Sequence, residues 1–453
     1  MNKRIILSIT FSVISLTMFA GGILENTNQS VNFLRNPSRD ATIGIDGVFS
    51  NPAGVAFLPE GWHTQFNWMI VHQDRDTWSG YSHPSYGQLF RLNATEPTTE
   101  ATNYRRKYEG NVDVPIQPSL YLIYNKEKWS FQFGFGFVGG GGTCEFENGL
   151  GSFESLAALT GMGAMGQNGM SLSSYNINTY MKGTSYDLGI TLGVARRLSE
   201  KLSAFVGLRG IILMNKYEGF LKDISFMASN ELSINGTDYV LDCRQNTFGI
   251  APIIGIDYKI NDHWNLAAKY EFRTKLDATT TASNNDAFNK LATTSASFGG
   301  YIDGASTRQD LPSMLSVGVQ YSPISSLRLC GGYHRYFEAD AKQFFKDIID
   351  DTDEMALGVE YDINKTFEVS GGMQKTWFHF DDSYESDANF ILNSYSFGCG
   401  MGVNLGKVKL NVAYFQTNYK DKELTTTNPM GVTNNVKYHR TNRIIGVGVD
   451  FNF

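Results

Sequence analysis

The 453-residue sequence predicts an all-β fold, a transmembrane antiparallel β-barrel of about fourteen strands with an N-terminal hatch, or plug, in its lumen. Three observations predict it. Apolar and polar residues alternate over runs of about ten residues that pair through very short turns. The connections on the opposite side are much longer, the asymmetry expected of an outer-membrane barrel. The N-terminus has the layout of a secretory signal. Aromatics make up 13% of the chain, yet mean hydropathy is −0.24. Barrel strands alternate and so average out on any hydropathy scale, and beyond the N-terminus no run of about 18 apolar residues suggests a membrane helix.

The elements follow in order. Lys3 and Arg4 precede an apolar run from Ile5 to Phe19, and Ala20, Gly21 and Gly22 supply small residues for cleavage after 20 or 22. Residues 1–20 therefore read as a signal peptide. Residues 21–61 lack alternation and carry two Asn-Pro dipeptides, Asn36-Pro37 and Asn51-Pro52, which favour compact turns over a flexible tail. This segment is expected to fold into the barrel mouth as a hatch, and residues 62–453 are expected to form the barrel. Strands are predicted at 62–72 and 443–453, with six hairpins between them. The hairpins pair 118–125 with 129–138, 184–196 with 203–214, the two arms of 253–273, 312–322 with 326–338, 352–362 with 366–378, and 391–404 with 408–420. Residues 73–117, 139–183, 215–246 and 275–311 are left as long external loops.

The polar face of these strands carries Arg209, Lys269, Glu271, Arg273, Arg328, Glu360 and Glu368, which require water or one another. A fourteen-strand barrel is too wide for side chains alone to fill. The polar face therefore lines a lumen and the apolar face meets lipid. Trp129-Ser-Phe-Gln-Phe-Gly-Phe-Gly-Phe-Val-Gly-Gly-Gly-Gly142 shows this division sharply, because Trp129, Phe131, Phe133, Phe135 and Phe137 form one row opposite Ser130, Gln132, Gly134 and Gly136. The chain ends on Phe453, as outer-membrane barrels commonly do.

Asn51-Pro52-Ala53-Gly54, preceded by Arg39-Asp40-Ala41, resembles the N-terminal hatch of the FadL family of outer-membrane long-chain fatty acid transporters, also called the OMPP1 or TodX family. The stretch LRNPSRDATIGIDGVFSNPAGVAFL, residues 34–58, is similar to the version found in Bacteroidetes members. The resemblance implies passive transport of long-chain fatty acids or other hydrophobic small molecules across the outer membrane of a Gram-negative bacterium. Ligand would be captured on external loops and bound in the lumen, then released by hatch movement and lateral exit through the wall. It also implies a kinked third strand, for which Gly139, Gly140, Gly141 and Gly142 are the lateral-opening candidates. Residues 153–170, rich in Leu, Met and Ala, offer an adaptable apolar loop surface. Arg209, Lys269 and Arg273 are candidates to meet a ligand carboxylate. Lipid contact, assembly machinery acting through Phe453 and a monomeric state complete the expectation.

Other chemistry has little support. The seven histidines lack an HExxH pair, no Gly-x-Ser-x-Gly elbow is present, and no Cys/His spacing suits a metal, so neither catalysis, a cofactor nor a metal is expected. A formal charge of −7 offers nothing to nucleic acid. Cys144 and Cys243, both placed in long loops, are a possible disulfide in an oxidising compartment. A general diffusion porin for small polar solutes remains the alternative, with a lipid-modifying outer-membrane enzyme the more remote one.

Overall fold

Alternation becomes geometry along β1 (Gly61–Ser82): His63, Gln65 and Asn67 are buried, while Trp62, Phe66, Trp68 and Ile70 face outward. The computed structural model describes residues 30–84, 104–157, 161, 172–228, 233–294, 296–341, 349–427 and 431–453. Within these, β1 is followed by β2 (Tyr104–Lys126), β3 (Trp129–Phe146), β4 (Leu172–Arg197), β5 (Leu202–Ala228), β6 (Tyr239–Lys259) and β7 (Trp264–Glu271). The second half comprises β8 (Ser313–Ile324), β9 (Leu327–Phe337), β10 (Thr352–Asp362), β11 (Phe367–Trp377), β12 (Ser394–Asn404), β13 (Val408–Tyr419) and β14 (Thr433–Asn452). Short strands Asp277–Ala282 and Ser306–Arg308 pair with each other and extend β7 and β8 upward past the Thr274–Leu311 bridge. Each strand runs antiparallel to the next, and β14 pairs with β1 from Asn452 opposite His63 to Thr433 opposite Ser82. The result is a closed fourteen-strand barrel.

Short turns fall where the sequence places them. At the β6–β7 turn, Ile260 N–H bonds Trp264 O at 3.0 Å, and Asn261 Oδ1 accepts from the backbone of His263 and Trp264 at 2.9 and 3.0 Å. At the seam the ends meet, with Phe453 N–H donating to Trp62 O at 2.9 Å. The aromatic row of β3 also lies as expected: Trp129 and Phe131 are exposed, Ser130 and Gln132 buried, and Arg196 covers the Trp129 ring at 4.8 Å.

The external ends of the strands differ from expectation. β1 and β2 continue through most of residues 73–117, and β4 and β5 contain 26 and 27 residues, against about 9–11 needed to cross a bilayer. The reason is visible on β1. Its outward positions are apolar up to Ile70 and then become His72, Asp74 and Asp76. Above the apolar belt the outer face meets water, so the alternation that marks a strand disappears while backbone pairing continues. β9 to β12 contain only 11 residues each, so the wall stands tall on one side only. As a consequence Cys144 lies in β3 and Cys243 in β6, not in loops, with β4 and β5 between them. Both are buried free thiols and are not bridged.

Hatch residues 30–58 fold inside this wall as α1 (Val31–Arg35), two 3-10 turns (Ile45–Val48 and Gly54–Phe57) and tight connections. Ser30 caps α1, its Oγ accepting from Asn32 N–H at 3.1 Å. Residues 1–29, which include the expected signal peptide, lie outside the described residues, as does nearly all of 158–171 in the apolar loop. The hatch follows a track of lumen-facing glycines. A side chain at Gly358 would overlap Asn36, one at Gly372 would overlap Pro37, and one at Gly398 would overlap the Leu34 carbonyl. Gly398→Val is therefore expected to lift α1 from the wall, at a cost of about 1–3 kcal/mol for overpacking. Hydrogen–deuterium exchange should show faster exchange across 31–41 with β1 and β14 unchanged. Unaltered exchange would mean that the close approach is not needed to seat the hatch.

Candidate functional site

The Asn51-Pro52-Ala53-Gly54 motif is a clamp. Asn51 Oδ1 accepts from Gly54 N–H at 3.1 Å, folding the turn on itself, while its Nδ2 donates to Asp257 Oδ2 on β6 at 2.6 Å. Pro52 O accepts from Gln132 Nε2 on β3, and Ala53 O accepts from Ser203 Oγ on β5, both at 2.7 Å. Gly54 leaves room for this arrangement, since a Cβ there would fall 2.9 Å from Asp257 Oδ2 and closer still to Asn51. Each motif residue thus has a local reason, and together they tie the hatch to three strands.

On the far side the hatch is held by charge. Arg39 binds Asp46 through Nε and Nη2 at 2.7 and 2.9 Å, and its Nη1 reaches Glu360 on β10. Arg35 pairs with Glu368 on β11 and donates to Asn411 Oδ1 on β13 at 3.1 Å. Arg328 of β9 joins the two halves, contacting Glu360, Asp362 and Glu368 at 3.0, 2.7 and 2.9 Å, while Lys409 Nζ lies 3.1 Å from Glu368. Four cations face four carboxylates, so this network is neutral. His334 adds a further link, sitting 2.7 Å from both Asp40 of the hatch and Glu354 of β10. Part of the network borders a cavity of about 940 Å³ whose lining includes Arg35, Arg39, Glu360, Lys409 and Asn452.

The cations expected to meet a ligand carboxylate have protein partners. Arg209 Nη1 lies 2.7 Å from both Glu271 oxygens, and its guanidinium covers the Phe49 ring at 4.6 Å. Lys269 Nζ donates to Phe49 O at 2.7 Å and lies 4.8 Å from the same ring. Arg273 donates to Asp340 O at 2.6 Å, with Asp310 at 3.5 Å. Arg209 and Lys269 thus come together around Phe49 of the hatch, whereas Arg273 stands apart.

Above the hatch runs an apolar column. Val31, Phe33 and Leu34 of α1 continue into Met69, Val112, Cys144, Phe146, Tyr217 and Cys243, then into Phe288, Phe298 and Tyr301 of the external loops. Helix α2 (Asp286–Thr294) carries Phe288, which meets Phe298 edge-on at 5.6 Å, and Asn285 Oδ1 caps the helix by accepting from Phe288 N–H at 2.9 Å. Asp387, in the β11–β12 loop, accepts from Ser152 N–H at 2.7 Å, and burial pushes its carboxyl above the usual range. The loops therefore pack over the column as structured caps.

Between β2 and β3 the ladder of the wall is interrupted, and a second gap lies between 247–252 of β6 and 272–278, where Phe272 N–H still reaches Pro252 O at 3.0 Å. β2 and β3 pair from Lys126 opposite Trp129 to Leu120 opposite Phe135, then not again until Val112 opposite Cys144, which leaves 113–119 and 136–143 unpaired with each other. β3 stays attached to β4 across this stretch through two register slips, at 137/139 and 140/142. Gly140 and Gly142 adopt φ of +69° and +116°, the left-handed region open to glycine. The Gly139–Gly142 run is therefore an internal kink of β3, not the start of a loop. Its counterpart on β2 is Val114-Pro-Ile-Gln-Pro118, of which the alternation pattern assigns only Pro118 to a strand. Neither proline has an N–H to leave unpaired, and Trp68 Nε1 donates to the Pro115 carbonyl at 3.0 Å. Val48 and Phe49 line a small pocket on the lumen side together with Gly134, Gly136, Gly189 and Arg209.

A plugged, fourteen-strand barrel with an interrupted wall is the class of protein that this architecture defines. No protein-family model matches the chain, and no curated protein sequence does. Solved structures share its fold. A Pseudomonas aeruginosa FadL homologue superposes with a TM-score of 0.63 over 96% of this chain and 100% of its own, at 12% identity. The Ralstonia pickettii toluene transporter TbuX gives 0.55 over 94% and 100%, at 15% identity. The P. putida toluene transporter TodX gives 0.54 over 90% and 94%, at 13% identity.

The clamp and the ionic network are separable. Asn51→Ala should leave Asp257 with one fewer donor and loosen the hatch by about 1–3 kcal/mol, read as faster hydrogen exchange across 44–58. Glu360→Leu leaves Arg39 and Arg328 each one carboxylate short and should cost about 1.5–3 kcal/mol of hatch docking, read as protease cleavage within residues 30–45 of an intact barrel. Protection equal to the parent in either variant would remove that contact from the account.

Proposed function

We propose that the protein is a passive outer-membrane channel for hydrophobic small molecules, long-chain fatty acids or aromatic hydrocarbons among them. The observation that carries this reading is the unpaired stretch between β2 and β3. It lies beside an apolar column and is backed by a hatch that occupies the lumen. The shared fold supports it, since two of the neighbours are toluene transporters by name. A diffusion pore for polar solutes needs an open lumen, which the hatch fills.

In this mechanism ligand gathers on the external loops and descends the apolar column, then leaves sideways through the wall near Gly139 when the hatch around Val48 and Phe49 shifts. Lateral exit keeps an alkyl chain out of water, a transfer worth about 0.8 kcal/mol per CH₂. The exposed apolar row along β3 suits the surrounding lipid, and terminal Phe453 suits recognition by barrel-assembly machinery.

Uptake of labelled toluene and labelled oleate by cells producing the protein tests the reading. Uptake should exceed that of cells lacking the protein, and sucrose should not leak in. Gly140→Val, which forces a β-branched residue into positive φ at the kink, should lower uptake several-fold while the barrel still assembles. Uptake no greater than in control cells, or unselective sucrose entry, would overturn the proposal.

A further inference from the structure

Beside the kink, the inner face of β4 and β5 carries three polar side chains whose oxygens find nothing to bind. Ser185 and Asp187 are 0% and 2% exposed and stand two residues apart on β4, both turned inward. Asn215 of β5, 2% exposed, lies directly opposite Ser185. Ser185 Oγ, Asp187 Oδ1 and Asn215 Oδ1 are buried and have no hydrogen-bond partner, and no ion pair reaches Asp187 among the described residues. Burying such groups unbonded is costly, and native structures seldom tolerate it without purpose. Val138, Ile211 and Leu213 form an apolar cluster on the same inner face.

These groups face the kink. A Cβ at Gly139 would overlap the Asp187 carboxylate, and one at Gly140 would fall 3.0 Å from Ser185 Oγ. The glycines thus leave the two side chains room against the unpaired stretch of β3. The amide of Asn215 is oriented by a polar chain, its Nδ2 donating to Gln309 Oε1 at 3.0 Å and Gln309 Nε2 donating in turn to Gln245 Oε1 at 2.8 Å. With its nitrogen occupied, Asn215 turns its carbonyl oxygen away from that chain.

The chemistry of this cluster is one-sided. The amide oxygen and an ionised carboxylate only accept, and a carboxyl buried without a cation is ionised only where donors meet it, so the cluster calls for donors. The complementary ligand is one that donates. A hydroxyl head donates once and accepts from Ser185, satisfying two of these atoms, and an ammonium head can donate to all three, whereas a carboxylate head would bring only further acceptors.

We propose that Ser185, Asp187 and Asn215 form a selectivity site at the inner side of the wall break, which receives the hydrogen-bond-donating head of an otherwise apolar ligand. Phenols, alcohols and amines are thereby favoured over carboxylates of the same skeleton. This rests on the channel reading above and narrows its substrate class.

Para-ethylphenol, para-ethylbenzoate and ethylbenzene share one skeleton and differ only in the head, so they serve as probes. Their binding to the full-length protein in lipid nanodiscs is measured against empty nanodiscs. The phenol should bind at least about tenfold tighter than the benzoate, the scale of one hydrogen bond to a charged acceptor. Asp187→Leu should lower phenol binding by about tenfold and leave ethylbenzene unchanged, and Asp187→Asn should raise benzoate binding. Ser185→Ala, a smaller change, should weaken the phenol several-fold, and heat-modifiable gel mobility verifies that each variant has formed its barrel. Phenol and benzoate binding alike in the parent protein, or phenol affinity unmoved in both Asp187→Leu and Ser185→Ala, would overturn the proposal. Ethylbenzene uptake by cells separates the two levels. Uptake without phenol preference sinks the selectivity site alone, whereas absent uptake sinks the channel reading while the phenol–benzoate comparison still decides the site.

Discussion

Strands that face hydrocarbon must satisfy their backbone N–H and C=O groups sideways, and the rest of this structure depends on where that pairing is complete and where it stops. It is complete across the seam, where β14 and β1 pair along their whole shared length. It stops between residues 113–119 and 136–143, and again between 247–252 and 272–278, where one backbone bond from Phe272 to Pro252 remains. The sequence around the first break limits its cost. Two prolines remove donors from the β2 side, Trp68 serves a freed carbonyl, and glycines at positive φ let β3 slip against β4 without leaving it. A break equipped in this way is a built feature of the wall.

A barrel of this width also has to be filled. The hatch achieves this with two kinds of contact on opposite sides. Towards β3, β5 and β6 it uses short hydrogen bonds from the Asn51 motif, and towards β9, β10, β11 and β13 it uses the arginine–carboxylate network. Buried ion pairs contribute little net stability because desolvation offsets their attraction, yet breaking one partner is severe. A neutral network beside a 940 Å³ cavity suits a plug that must sit in one place. The ions fix its position, and their hydration is close at hand.

The sequence made the lipid-facing half of this fold legible and left the upper half hidden, for a physical reason. Trp62 to Ile70 alternate because lipid demands apolar side chains on one face. His72, Asp74 and Asp76 belong to the same strand but stand in water, so nothing in their pattern separates strand from loop. Cys144 and Cys243 were placed in loops for that same reason. The glycine run was legible as a departure from regular pairing, but its partner stretch was not, because the alternation begins a strand only at Pro118 and leaves Val114 to Gln117 outside it. Arg209 and Lys269 could be assigned to the lumen from their alternation. Their partners, Glu271 and Phe49, lie 62 and 220 residues away and reach them across β6 in the sheet and through plug insertion. Ser185, Asp187 and Asn215 are ordinary residues in sequence. What sets them apart is burial without partners directly beside the glycine kink.

The geometry also bears on how such a plug could move. The Asn51 clamp lies on the same side as the wall break, and Phe49, held by Arg209 and Lys269, is close to that break on the lumen side. The ionic network lies across the barrel. Under the proposed mechanism, a shift that uncovers the break involves the 44–58 half of the hatch, which is held to the wall by a few short hydrogen bonds and one aromatic ring and to the pinned half by the Arg39–Asp46 pair. The 31–41 half stays pinned by charge and by the glycine track. A plug anchored unevenly in this way can open a side path without leaving the lumen, which keeps a route for apolar ligands distinct from a leak for polar ones.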